Sequence, residues 1–400
     1  MKALQFERSL PRFAAARIVG ALAPGRGATP GPLRLADIDP PEVDAPGWVR
    51  VRPRLAGICG SDLATIDATS SRWFEPVVSF PFVPGHEVVG DLDDGRRVVL
   101  QPVLGCAARG IDPPCDRCAS GQVGQCLNIT FGHLEPGLQT GYCTDTGGGW
   151  SIALSAHESQ LHLVPDGMSD EAAVMVEPTA CAIRGAAKVG AGADVVAVIG
   201  AGTLGLAAIA ALRHLPGALP TTVIAAAKHP DQRDLARSLG ADVVVEPEAL
   251  ARAVRRTTGT MAVGDGSMDR LAGGADVTID CVGSPASIES ALAVTAPGGR
   301  VVLVGMPGRV DVDLTPLWQR EIQLVGAYAY GTEAPGGPGA GRPTFELALD
   351  LVGTADLERL VSATYPLARY ADAIAHAAEA GRRGAVKIAF DLRDERERNR

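Results

Sequence analysis

Asp194-Val-Val-Ala-Val-Ile-Gly-Ala-Gly-Thr-Leu-Gly205 decides the fold. Its first half is a continuous apolar run, the pattern of a strand buried on both faces of a parallel sheet. Its second half, Gly200-Ala-Gly-Thr-Leu-Gly205, is a G-x-G-x-x-G turn that opens an Ala/Leu-rich helix over 206–212. In this strand–turn–helix setting the glycines have separate tasks. Gly200 makes the tight turn, Gly202 lets backbone approach a pyrophosphate, and Gly205 lets helix and strand pack closely. Thr203 and Leu204 lie between them, where the helix N-terminus offers free N–H groups and a partial positive charge to phosphates. The stretch predicts a dinucleotide site.

Downstream, strand and helix patterns alternate. Residues 223–224 lead into 232–239, 243–245 into 249–257, and 276–280 into 286–296, with further apolar runs at 300–304 and 322–325. That alternation is the signature of βαβ units and a doubly wound parallel sheet. Upstream the pattern differs. Trp48-Val-Arg-Val-Arg-Pro-Arg-Leu55 alternates with period two, and 87–90 and 97–100 read as short strands between Gly/Asp turns. Residues 23–32 and 331–341 are Gly/Pro-rich loops, while 171–188, 345–351 and 371–380 read as helices and 386–390 as a final strand. The expected fold class is α/β, a β-rich part joined to the doubly wound sheet.

The second strand of such a sheet ends in an acid, about 20 residues on, when the ribose 2′-hydroxyl of NAD is bound. Here Ala227 stands at that place, and Lys228 and His229 follow. Lacking the acid removes a repulsion, and a nearby cation can hold a 2′-phosphate, so NADP is favoured over NAD. Asp231 swinging toward the ribose is the alternative, and it would favour NAD.

Two sets of residues have the chemistry of metal ligands. Cys106, Cys115, Cys118 and Cys126 fall within 21 residues. Four thiolates make a closed tetrahedral zinc site, structural because no position is left for substrate. A dispersed set comprises Cys59 in Gly57-Ile-Cys-Gly-Ser-Asp62, His86 and Glu87 in Pro84-Gly-His-Glu-Val-Val-Gly90, and Glu177 in Val176-Glu-Pro-Thr-Ala-Cys-Ala182. A thiolate, an imidazole and a carboxylate give zinc three ligands and leave one position open, where the ion acts as a Lewis acid.

Bulk properties bound the rest. At 400 residues the chain is long enough for two domains. A formal charge of −9 argues against a nucleic-acid partner. The mixed-charge tail, 391–400, reads as a solvated end. No stretch reaches the ~20 apolar residues of a membrane helix, and residues 1–10 lack a signal-peptide pattern. The expectation is a cytoplasmic protein whose eight cysteines are thiols or metal ligands.

These motifs, taken together from about Pro53 to the 386–390 strand, resemble the medium-chain, zinc-dependent alcohol and polyol dehydrogenases. The resemblance implies a β-rich GroES-like catalytic domain over 1–178 that carries the cysteine lobe. It implies a Rossmann domain over 179–327 and a segment, 328–400, completing the catalytic domain. It implies hydride transfer between NAD(P) and an alcohol, with one catalytic and one structural zinc. By the same resemblance Cys59 and His86 are catalytic zinc ligands, and Glu87 ligates or exchanges with a ligand. Glu177 supplies another ligand, directly or through water. Ser61 takes the alcohol proton, and Asp62 orients the zinc histidine.

Three departures accompany the match. Eight residues, not two, separate Cys106 from Cys115, and Asp112 stands where the first lobe cysteine is usual, so either Cys106 or Asp112 completes the lobe. Ala64 replaces the histidine that ends the proton relay in many members, so the proton leaves through water or the cofactor ribose. The 90–96 connection is short, and extra residues precede Pro32. Glu177 and the Gly-Ser-Asp motif lean toward polyols, sugars and secondary alcohols. A homodimer or homotetramer joined near 322–325 is expected. The rivals are a zinc-independent enone or quinone reductase, which would lack the metal residues, and a nucleotide-binding protein that kept the fold without catalysis.

Overall fold

The computed structural model of the chain describes residues 1–215, 220–264, 270–333 and 341–394. Parts of the expected 331–341 loop and of the charged tail lie outside the described residues. Two compact units emerge: Met1–Glu177 with Asp356–Arg400, and Pro178–Ala355.

In the second unit six parallel strands form one sheet. Their order is Val243–Val245, Thr222–Ala226, Val195–Ile199, Ala275–Asp280, Thr295–Leu303 and Gln323–Gly326. The three central strands are Val-, Ile- and Ala-rich and nearly all buried, because helices cover such a sheet on both faces. Chain order reverses between Val195–Ile199 and Ala275–Asp280, the switch point where open α/β sheets bind ligands. The Gly200 turn leaves the first of these strands. Helix Thr344–Thr354 packs on helix Thr203–His214 and buries Phe345, Leu347, Ala348 and Leu351, so this unit continues past the boundary at 327 expected from sequence.

The first unit is built on a sheet whose strands run Val361–Tyr365, Lys387–Asp391, Trp48–Gly57, Val88–Leu92, Arg97–Leu100 and Leu161–Leu163, with Leu154–His157 also pairing Trp48–Gly57. Its key joint is long-range. Lys387–Asp391 lies antiparallel to Trp48–Gly57, with Ala389 opposite Gly57. The core holds Phe6, Phe82, Trp150 and Phe390, and the Trp150 indole donates to the Gly57 carbonyl at 3.1 Å. Two elements differ from the sequence reading. Helix Leu10–Leu22, with Pro11 in its first turn, lies in the segment before Pro32. The single helix read at 171–188 is two, Asp170–Val174 capped by Ser169, and Val176–Ala187.

Candidate metal centres and nucleotide site

Cys59 caps helix Gly60–Ile66, and Asp62 completes a capping box by accepting the Cys59 backbone N–H on Oδ2 at 2.9 Å. The other oxygen of Asp62 lies 3.5 Å from His86 Nδ1. One buried carboxylate therefore fixes the start of the Cys59 helix and faces the His86 ring. His86 and Glu87 immediately precede strand Val88–Leu92, which pairs with Trp48–Gly57, so the sheet delivers both beside Cys59. The ligand atoms of Cys59, His86 and Glu87 all lie within 4.8 Å of one another. Burial disfavours a charged His86, but the Asp62 carboxylate and then the Cys59 thiol outweigh it and hold its pKa well above the usual histidine range. A field that favours a proton there favours a metal cation too, so the donor set fits zinc. Ser61 is half-buried at the second position of that helix.

Glu177 is buried but does not join that group of three among the described residues. Sequence reading passed over its neighbour. Lys387 is buried and places Nζ 2.6 Å from both Glu87 oxygens, and it also donates to the Ile58 carbonyl at 3.3 Å. Burial works against its charge, and Glu87, then Cys59, outweigh it and raise its pKa. Gly57 makes room for this pair: a Cβ there would stand 1.9 Å from Glu87 Oε2. The available signal was a single lysine in an otherwise apolar strand.

The sulfurs of Cys106, Cys115, Cys118 and Cys126 also lie within 4.8 Å of one another, and Cys106 Sγ is 3.6 Å from Cys126 Sγ. Asp112 is exposed and outside this group, so Cys106 is the fourth member of the cluster. Burial pushes the Cys115 thiol up, but the N–H groups of Leu127 and Cys118 outweigh it and bring it down to about 6. Burial, then the crowding Cys126 sulfur, push Cys118 the other way. Thiols this close ionise together only around a cation, which is the fit a zinc requires. The fully buried Arg109 guanidinium ties the lobe by donating to the carbonyls of Leu104, Phe131, Leu134, Glu135 and Gly137.

At the nucleotide turn Gly200 has φ +88°. A Cβ on Gly205 would meet the Gly200 carbonyl oxygen at 1.7 Å, the close helix–strand contact expected of that glycine. Gly202 caps helix Thr203–His214 with no side chain bonded to it and no protein atom near its missing Cβ, leaving the N-terminal N–H groups to an anion. Ala227 is buried just past strand Thr222–Ala226, Lys228 is exposed and His229 is half-buried. Arg233, missed in the sequence, reaches back to donate to the carbonyls of Ala227 and Lys228 at 3.2 and 3.0 Å.

The family described as "Alcohol dehydrogenase GroES-like domain" matches residues 45–166, and "Zinc-binding dehydrogenase" matches 203–365. "L-idonate 5-dehydrogenase" of Vitis vinifera is 28% identical over 86% of this chain and 88% of its own. "Probable D-xylulose reductase A" of Arthroderma otae is 30% identical over 77% and 80%. Galactitol-1-phosphate dehydrogenase from Escherichia coli shares the fold with a TM-score of 0.69 at 20% identity, covering 98% of this chain and 100% of that one. No helix among the described residues is long and apolar enough to cross a membrane. With both metal-ligand clusters assembled and the glycine turn at the switch point, the chain belongs to the zinc-dependent medium-chain alcohol and polyol dehydrogenases, enzymes that move hydride between an alcohol and NAD(P).

Proposed function

We propose that this enzyme interconverts a polyol or sugar alcohol and its carbonyl product with NADP, using one catalytic and one structural zinc. The observation that carries the reading is the convergence of Cys59, His86 and Glu87 within 4.8 Å, with Asp62 behind two of them. Cys59, His86 and a carboxylate, Glu177 or Glu87, would hold the catalytic ion; Cys106, Cys115, Cys118 and Cys126 would hold the other. When bound, the first ion supplies Lewis acidity toward an alcohol oxygen. Ser61 would accept the hydroxyl proton, and because Ala64 carries no relay group, that proton would pass to water or to the ribose of a bound cofactor. Asp62 keeps the His86 ring oriented while this happens. A nicotinamide cofactor, held at the Gly200–Gly205 turn, would supply the hydride chemistry.

Relatives named for idonate, sorbitol and xylulose support the polyol and sugar class. The missing acid at Ala227, with Lys228, His229 and Arg233 around it, supports NADP. A homodimer or homotetramer joined through strand Gln323–Gly326 is supported by its position at the sheet edge and by the exposure of Leu324 and nearby Trp318. Absorbance at 340 nm, with NADP+ and NAD+ tried separately against polyols, aldoses, and secondary and primary alcohols, tests the reading. Turnover with polyols and NADP+ that chelation abolishes is expected. Turnover confined to primary alcohols, or a clear preference for NAD+, overturns the corresponding part.

A further inference from the structure

Tyr142 belongs to no motif, yet it lies directly against the His86 site. Its ring is buried, 5.3 Å from the Phe82 ring and 6.1 Å from the imidazole of His86, centroid to centroid. Its hydroxyl stands 3.4 Å from Asp62 Oδ1, the same oxygen that faces His86 Nδ1. A second oxygen, Thr65 Oγ1, is also 3.4 Å away, so the direction of the phenol proton has to be worked out. Thr65 spends its one proton on the Ser61 carbonyl at 2.9 Å, the i−4 bond usual for threonine in a helix. Ser70 Oγ, 3.1 Å from Thr65 Oγ1, then donates to Thr65. Burial, reinforced by the Asp62 charge, raises the Tyr142 pKa, so the phenol keeps its proton. A carboxylate is the stronger acceptor of the two oxygens, and the proton goes to Asp62.

We propose that Tyr142 is a positioning residue for the metal site, acting through Asp62 to hold the His86 ring. The idea rests on the zinc reading given above. Asp62 then has two donors, the Cys59 N–H on Oδ2 and the Tyr142 hydroxyl on Oδ1, and the same Oδ1 faces His86 Nδ1 at 3.5 Å. The capping bond fixes one end of the carboxylate; the phenol fixes its rotation, and with it the direction in which Oδ1 meets the imidazole. Groups that orient a metal-ligating histidine change metal affinity when lost, typically by 10–100-fold.

Tyr142→Phe keeps the ring and removes only the hydroxyl. Zinc release from the Cys59 site to a colorimetric chelator is expected to quicken about 10-fold, and the His86 Nδ1–H proton resonance of the zinc-loaded enzyme to shift and broaden. Adding the same substitution to Asp62→Asn is the sharper comparison: if Tyr142 acts through Asp62, it has no further effect there. Thr65→Val, which removes the other hydroxyl, is expected to leave release unchanged. A merely structural phenol would lower the melting temperature in every background and leave release at the wild-type rate, and that result overturns the proposal. So does a full effect in the Asp62→Asn background. Should Tyr142→Phe fail to fold, Phe82→Leu loosens the same ring with its hydroxyl intact, and release unchanged from wild type overturns the proposal while a faster release supports it. Metal content separates the two readings: wild type holding no more zinc than Cys59→Ala removes the catalytic-zinc reading itself, and this proposal with it.

Discussion

Replacing Lys387 with Met should expose what the buried pair beside the metal site contributes. Lys387 is 2% exposed and Glu87 1%. The ammonium contacts both carboxylate oxygens, so the variant leaves a buried anion without its cation. Two routes give the cost. Removing one partner of a buried pair destabilises by about 3–5 kcal/mol. Alternatively the carboxyl takes up a proton, and for a glutamate of reference pKa about 4.3 that costs ~3.7 kcal/mol at pH 7, at about 1.36 kcal/mol per pH unit. The routes agree near 4 kcal/mol. Along the second route the folded variant holds a proton that the unfolded chain releases above pH ~4.3, so the deficit shrinks as pH falls, to about 1 kcal/mol at pH 5. Urea unfolding at both pH values is the assay, in a Cys59→Ala background so that metal at that site cannot take over the freed carboxylate. Lys387→Met/Glu87→Gln should recover most of the loss, because the unpaired charge is gone. A deficit under about 1 kcal/mol at pH 7, or the same deficit at both pH values, refutes the reasoning.

Other outcomes follow from the same geometry. Cys59→Ala and His86→Ala should each abolish turnover while circular dichroism stays that of the folded protein; retained activity in either would refute the catalytic ligand set. Cys118→Ala should lower the melting temperature and the zinc content without touching the Cys59 site, since a structural zinc contributes folding energy; a variant as stable as wild type would mean the lobe does not depend on metal. Lys228→Ala should raise KM for NADP by about 10-fold, the loss of one charge-assisted contact of ~1.4 kcal/mol, and leave KM for NAD unchanged. Equal changes for both cofactors would remove Lys228 from the 2′-phosphate contact.

Local chemistry was legible in the sequence and long-range joining was not. The Gly200–Gly205 turn and the four-cysteine lobe are compact motifs, so their assembly follows from spacing. The alternation of apolar runs likewise gave the six parallel strands to within a few residues, because strands buried on both faces leave an unbroken hydrophobic record. Helix Leu10–Leu22 escaped notice for the opposite reason: it buries only Ala16 and Gly20 among its residues, so it carries no apolar stripe toward a core. Helix Thr344–Thr354 was recognised as a helix, but its packing on helix Thr203–His214 was not legible, since its apolar face says that it packs and not on what. Lys387 and Tyr142 lie 300 and 56 positions from Glu87 and His86. Only the strand joint at Gly57 and Ala389, and the packing of Phe82 on Tyr142, bring them to the site.

That joint also accounts for the balance of charge around Cys59. Asp62, Glu87 and Glu177 are buried carboxylates, and Lys387 is the buried ammonium set among them. Buried charge without compensation costs several kcal/mol per ion. Donors from the Cys59 backbone and Tyr142 serve Asp62, and Lys387 neutralises Glu87. On the zinc reading, with Glu177 as the carboxylate ligand, Cys59 and Glu177 would carry the two negative charges that match a divalent ion. Were Glu87 released to the same ion, a third anion would weaken its pull on an alcohol oxygen, because each added negative ligand offsets the charge that lowers a bound hydroxyl's pKa. In that arrangement the Lys387 pair would bear on the metal as well as on stability, by neutralising the carboxylate that stands beside Cys59 and His86.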